Sequence, residues 1–170
     1  MRNSNLFIYG NPVAKIQEVI LEDKHGPIRF FPFPYGDPER FRELYEVSES
    51  ITHESAYRLM MESLNSLFPK KYREVAITHA FISGGQSSDS ERPLVIGSAG
   101  NVSADLFNRF NYTALGHLHS PQSINSTLRY SGSIMKYSIA EANHSKSVSV
   151  VEINDTGDVK ITEIPLRPKK

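Results

Sequence analysis

His117 and His119 stand two apart in Gly116-His117-Leu118-His119, directly after the apolar run of residues 112–115. In an extended segment alternate side chains share a face, so both imidazoles can point into one cavity, with Gly116 letting the backbone turn close by. Neutral imidazole is the commonest protein ligand for zinc and also serves manganese and iron, and a site of this kind needs at least three protein ligands. His79, which ends a second apolar run through Val75, Ala76 and Ile77, is the natural third. Other roles suit the same residues: a His-x-His pair serves equally as surface or structural histidines, and His79 as a core histidine bonded to a backbone carbonyl.

The remaining histidines carry less signal. His25 falls in a turn and His53 near a helix start, and both are expected to be solvated. His144 lies in the polar stretch of residues 141–146, where solvation is preferred over a substrate contact. Lys70, Lys71 and Arg73, and Arg167, Lys169 and Lys170 in the tail, form small basic clusters that could touch phosphate but read as solvated surface.

Two strands must deliver the three histidines, and the rest of the chain must hold those strands. Residues 15–22 and 28–33 read as a hairpin around Asp23-Lys24-His25-Gly26-Pro27, and residues 39–45 as a short helix with a proline at its start. From residue 52 or 53 to 68, Ala56, Leu59, Met60, Leu64 and Leu67 recur at helical spacing until Pro69 closes the run. Residues 74–81 read as a buried strand, 83–92 as a Ser/Gly-rich loop, 94–96 as a short strand and 105–110 as a helical turn. Residues 112–115, 129–133, 147–153 and 159–164 add strands, the last two joined by a turn at 154–158. The expected fold class is α/β.

Composition narrows the chemistry. The chain has 170 residues, 39% of them hydrophobic, enough for one domain with a core. Its 19 basic residues balance 19 acidic ones, so any nucleic-acid contact must be local rather than driven by bulk charge. Cysteine is absent, which excludes disulfides, thiolate metal sites and cysteine nucleophiles and leaves histidine and carboxylate as ligands. No Gly-rich phosphate loop, nucleophile elbow or EF-hand occurs, and no apolar run approaches the length of a membrane span. The expectation is a soluble, cytoplasmic protein.

Several segments together carry a family resemblance: Ala76-Ile77-Thr78-His79, Ser88-Asp89-Ser90-Glu91-Arg92, Ala114-Leu115-Gly116-His117-Leu118-His119, Arg129-Tyr130-Ser131-Gly132-Ser133, and Lys136-Tyr137-Ser138 through His144-Ser145-Lys146-Ser147-Val148. In order and spacing the chain resembles SbcD-type nuclease subunits of the calcineurin-like metallophosphoesterase superfamily, over residues 10–166. The Phe33-Pro34-Tyr35-Gly36-Asp37-Pro38 segment is similar to that family's Leu-Pro-Tyr stretch. Gly-His-x-His is common to the superfamily, whereas the Ser-Asp-Ser-Glu-Arg and Arg-Tyr-Ser-Gly-Ser segments point to SbcD.

The resemblance implies one mixed β-sheet with packed helices, part of a four-layer sandwich, and a centre of two divalent cations, most commonly manganese, that activates water and clamps the phosphate. It implies His79 and His117 as ligands of one cation and His119 as a ligand of the other. The bridging aspartate, further ligands and an Asn-His pair that assists catalysis are placed in an earlier half of the family's domain. Residues 1–170 are thus expected to correspond to the C-terminal half of that domain, with residues 167–170 a flexible tail, and to be inactive alone, since three neutral imidazoles leave two divalent charges uncompensated. Implied partners are DNA, an SbcC-type ATPase and a second copy of the subunit, with self-association of this chain also expected. The rival readings are a non-catalytic partner-binding or dimerisation piece, and another calcineurin-like phosphoesterase.

Overall fold

The computed structural model describes residues 6–88, 90–91 and 100–167. Its first two strands, β1 (Val19–Asp23) and β2 (Gly26–Phe33), pair antiparallel through the turn at Gly26, whose φ of 90° glycine adopts without strain. Helix α1 (Pro38–Leu44) starts on Pro38, whose fixed φ suits a first helical turn, and buries Phe41. Helix α2 (His53–Leu67) is capped by Thr52, whose hydroxyl accepts from the Ser55 N–H while the Ser55 hydroxyl accepts from the Thr52 N–H. Ala56, Tyr57, Met60, Met61 and Leu64 form its buried stripe.

Strands β3 (Arg73–His79), β4 (Phe81–Ile82), β5 (Asn101–Val102), β6 (Tyr112–Gly116), β7 (Gln122–Ser123), β8 (Leu128–Tyr130), β9 (Ser147–Ile153) and β10 (Val159–Pro165) follow. The main sheet has six strands in the order β1-β2-β3-β6-β8-β7, parallel from β2 to β8 and antiparallel at both edges. The mixed α/β sheet expected from the sequence is therefore present. Phe31 and Phe33 of β2, Ala76 of β3, Leu115 of β6 and Tyr130 of β8 share one buried core with the α2 stripe. Burying such side chains is worth about 1.5–3 kcal/mol each, so this layer holds the strand ends that carry the site.

Among the described residues two further strand pairs lie outside the main sheet. β4 runs parallel to β5, and β9 and β10 form an antiparallel hairpin. The hairpin is tied to the sheet by polar side chains: Arg73 Nη1 donates to the Ile153 carbonyl, Asn111 to the Gly157 carbonyl, and Arg129 Nε to the Ser149 hydroxyl. Among the described residues no helix is long and apolar enough to cross a membrane.

Several expectations need correction. Residues 15–18 stay outside β1, which begins at Val19. The strand expected over 129–133 ends at Tyr130, because Gly132, at φ 78°, turns so tightly that a Cβ there would lie 2.8 Å from the His119 carbonyl oxygen. His53 is buried, not solvated, and its ring stacks on Tyr35 at 6.0 Å between centroids. Arg73 is not free surface charge: it is buried and forks onto both carboxylate oxygens of Asp23, holding that group's pKa at about 2. In the apolar runs of residues 75–77 and 112–115, Val75, Ala76, Tyr112 and Leu115 are buried, and of these two runs only Ile77 is exposed, at 48%. The strand expected at 94–96 and the tail residues 168–170 lie outside the described residues.

Candidate functional site

β3 and β6 run parallel with His79 paired to Gly116, so the register places the end of one strand beside the turn that follows the other. Gly116 has no side chain to obstruct this, and a Cβ there would sit 3.1 Å from His79 Nδ1. The next residue, His117, adopts φ 114°, a conformation that costs a non-glycine residue about 1–3 kcal/mol and persists only where the surroundings enforce it. The turn brings the His117 ring edge to face against His79, with centroids 5.2 Å apart and planes at 74°. Tyr35 flanks His79 and Phe81 flanks His117, both edge on.

His79, His117 and His119 all line one cavity of about 430 Å³, together with Gly116, Ser133 and Tyr137. The route differs from the expected one. β6 ends at Gly116, so strand alternation does not align His117 with His119. The positive φ of His117 swings the chain, and buried Leu118 anchors the segment between them.

Burial lowers the pKa of His79 below its ordinary value. Burial also lowers that of His117, reinforced by His79 and opposed by Glu91. Both rings therefore favour the neutral form that offers a lone pair. His119 sits differently. Its N–H donates to Glu91 Oε1 at 2.8 Å, its carbonyl accepts from Lys146 Nζ at 2.8 Å, and its Nδ1 lies 2.8 Å from Glu141 Oε1. Lys146 Nζ, 2.6 Å from Glu141 Oε2, leads the contacts that hold the Glu141 carboxyl well below the usual carboxylate range.

Glu141, Lys146, Ser133 and Tyr137 were not singled out in the sequence as functional. Glu141 and Lys146 belong to a stretch read as solvated, yet both are buried. His144 in that stretch is likewise half-buried, with Nδ1 3.5 Å from Lys146 Nζ. The available signal was the Ser88-x-Ser90-Glu91 spacing, which lets Glu91 Oε2 accept from the Ser88 N–H and hydroxyl while Oε1 reaches His119. His25 is exposed in the β1–β2 turn, beside the start of β3 and away from its His79 end.

Among the described residues no group of three or more His, Asp or Glu side chains is arranged to hold a metal ion. The histidines are brought together; a complete ligand set is not.

No protein-family model matches the sequence. Over 142 residues, 83% of this chain, it is 36% identical to the SbcD component of the SbcCD nuclease of Staphylococcus epidermidis, and the match spans 38% of that relative's length. The identity over most of the chain, with the mixed α/β sheet, makes this an SbcD-like sequence corresponding to part of that nuclease component.

Proposed function

We propose that this chain contributes the histidine-bearing part of a metal-dependent nuclease of the SbcD type, which hydrolyses phosphodiester bonds in DNA during repair and recombination. The supporting observation is the delivery of His79 and His117 by adjacent parallel strands into edge-to-face contact on a cavity that His119 also lines. In this reading His79 and His117 bind one divalent cation and His119 a second, with manganese as the preferred metal.

The described residues alone do not fit such a centre. The three imidazoles bring no negative charge, and the nearby carboxylates are engaged: Glu91 with His119 and Ser88, Glu141 with His119 and Lys146. Two divalent charges on neutral ligands gain little Coulomb energy, so anionic ligands must come from elsewhere and the chain alone is expected to be hydrolytically inactive. Its own residues present two neutral imidazoles and an anchored third, and close the cavity with Ser133 and Tyr137. The relative's name places it in the SbcCD assembly, and the corresponding partnership with an SbcC-type ATPase, in the cytoplasm, is proposed for this protein too.

A second reading is a non-catalytic piece that binds a partner or a second copy. It draws on the apolar cavity of about 480 Å³ lined by Ile8, Leu21, Phe30 and Ile77.

The test is a chimaera in which this sequence replaces the matched stretch of the Staphylococcus epidermidis relative. Manganese-dependent digestion of linear duplex DNA is expected from the chimaera, lost in His117→Ala, and absent from the 170-residue chain alone. An inactive but folded chimaera would refute the nuclease reading. Digestion by the chain alone, abolished by His117→Ala, would refute the incomplete site.

A further inference from the structure

His119 is gripped at three of its four polar atoms. The Glu91 carboxylate takes its N–H, Lys146 Nζ and the Ser133 N–H (3.1 Å) reach its carbonyl, and Glu141 Oε1 meets Nδ1. Among the described residues Nε2 alone of these four atoms makes no hydrogen bond, and the ring lines the cavity. A carboxylate can only accept, so the 2.8 Å contact requires the proton on Nδ1, and a neutral ring then carries its lone pair on Nε2. An unrestrained neutral histidine prefers the opposite tautomer, so the choice is imposed by the neighbour.

Glu141 is suited to impose it. It ends the 3-10 turn Ile139–Glu141, has no solvent exposure, and its second oxygen takes Lys146 Nζ at 2.6 Å. Lys146 also donates to the Ser133 hydroxyl, so one ammonium ties together the three loops around His119. A buried ion pair is weak support for stability, because desolvation offsets its attraction. Here one of its oxygens is spent on a histidine that faces the cavity, the arrangement by which a carboxylate orients a ligating imidazole.

We propose that Glu141, seated by Lys146, is a positioning residue that holds His119 in the Nδ1–H tautomer with Nε2 presented to the cavity shared with His79 and His117. Its functional meaning rests on the metal-ligand reading of His119; the tautomer itself does not.

Heteronuclear NMR of the imidazole nitrogens in the full chain, above the titration range of histidine, reads the tautomer directly. His119 in the unmodified chain should show a protonated Nδ1 and an unprotonated Nε2, and Glu141→Gln, whose amide oxygen still accepts, should keep most of that form. Glu141→Ala should switch the majority to Nε2–H. Because that variant strands a buried ammonium and can unfold the loop, the double variant Glu141→Ala with Lys146→Met removes both charges and should switch in the same way, with β3 and β6 amide shifts unchanged. An Nε2–H majority in the unmodified chain, or a folded double variant that keeps Nδ1–H, would overturn the proposal. A separate titration with manganese alone, carried to an excess large enough to populate the weak site that neutral imidazoles form, keeps the two ideas apart: the expected tautomer with no histidine broadened at that excess would sink the metal assignment and leave the positioning role standing.

Discussion

His79 and His117 meet edge to face with their ring centroids 5.2 Å apart, and burial depresses both pKa values below the ordinary 6.5. The unfolded chain keeps ordinary histidines, so below 6.5 it binds protons that the folded chain refuses, and stability rises with pH across that interval. The contribution is complete above 6.5 and is lost as pH falls from there through the depressed values. Chemical denaturation at a series of pH values should show this slope, and the His79→Ala, His117→Ala double variant should flatten it. Asp23 adds a separate acid limb, complete above its ordinary 3.8 and lost as pH falls through about 2. An unchanged slope in the double variant would show that these rings are not the titrating groups.

The φ of 114° at His117 makes a second prediction. Glycine and alanine both remove the imidazole and its contacts with His79 and Phe81, but only glycine accepts that backbone without strain. His117→Gly should be more stable than His117→Ala by about 1 kcal/mol, read from thermal or denaturant unfolding. Equal stability, or a more stable alanine variant, would show that no strain is stored there.

Glu74 is fully buried, with Arg109 Nε and Nη2 at 2.7 and 2.9 Å and Arg29 Nη1 at 3.5 Å. Glu74→Ala leaves the Arg109 guanidinium without a carboxylate in the protein interior and Arg29 with Glu18 alone, and should cost roughly 3–5 kcal/mol, enough to unfold many domains of this size. Circular dichroism with urea titration measures it. A loss under about 1 kcal/mol would mean that water or the Glu18 carboxylate, 2.8 Å from Arg29, takes over the charge.

Ile77 lies in a central strand yet is 48% exposed, beside Leu21 at 47%, on the sheet face opposite α2. Apolar surface of this kind in a sheet interior favours association, and the chain is expected to self-associate with rising concentration. Light scattering after size exclusion should show a mass above 19.2 kDa that Ile77→Lys returns to the monomer. A monomer at every micromolar concentration tested would show that this face needs no cover.

How far these features were legible in the sequence follows from how local each one is. The α2 boundaries could be read because Thr52 caps, Pro69 stops, and Ala56, Met60 and Leu64 repeat within a few residues. The apolar runs of β3 and β6 likewise announced two strands ending in histidine. The burial of His53 against Tyr35 and the fork of Arg73 onto Asp23 depend on partners distant in the chain, so composition pointed the wrong way. Convergence of His79, His117 and His119 was anticipated, but not its cause, since a positive φ at a histidine has no sequence signature. Glu141 was hidden for the same reason as His53: a polar loop looks solvated until three loops close over it.

Whether His79, His117 and His119 share a metal-binding cavity is tested most directly by paramagnetic broadening with manganese in the labelled full chain. As manganese is added, the ring resonances of these three histidines should broaden first, while exposed His25 in the β1–β2 turn stays sharp. Broadening of His25 ahead of them, or sharp signals from all three at a large excess of manganese, would contradict a shared metal-binding cavity.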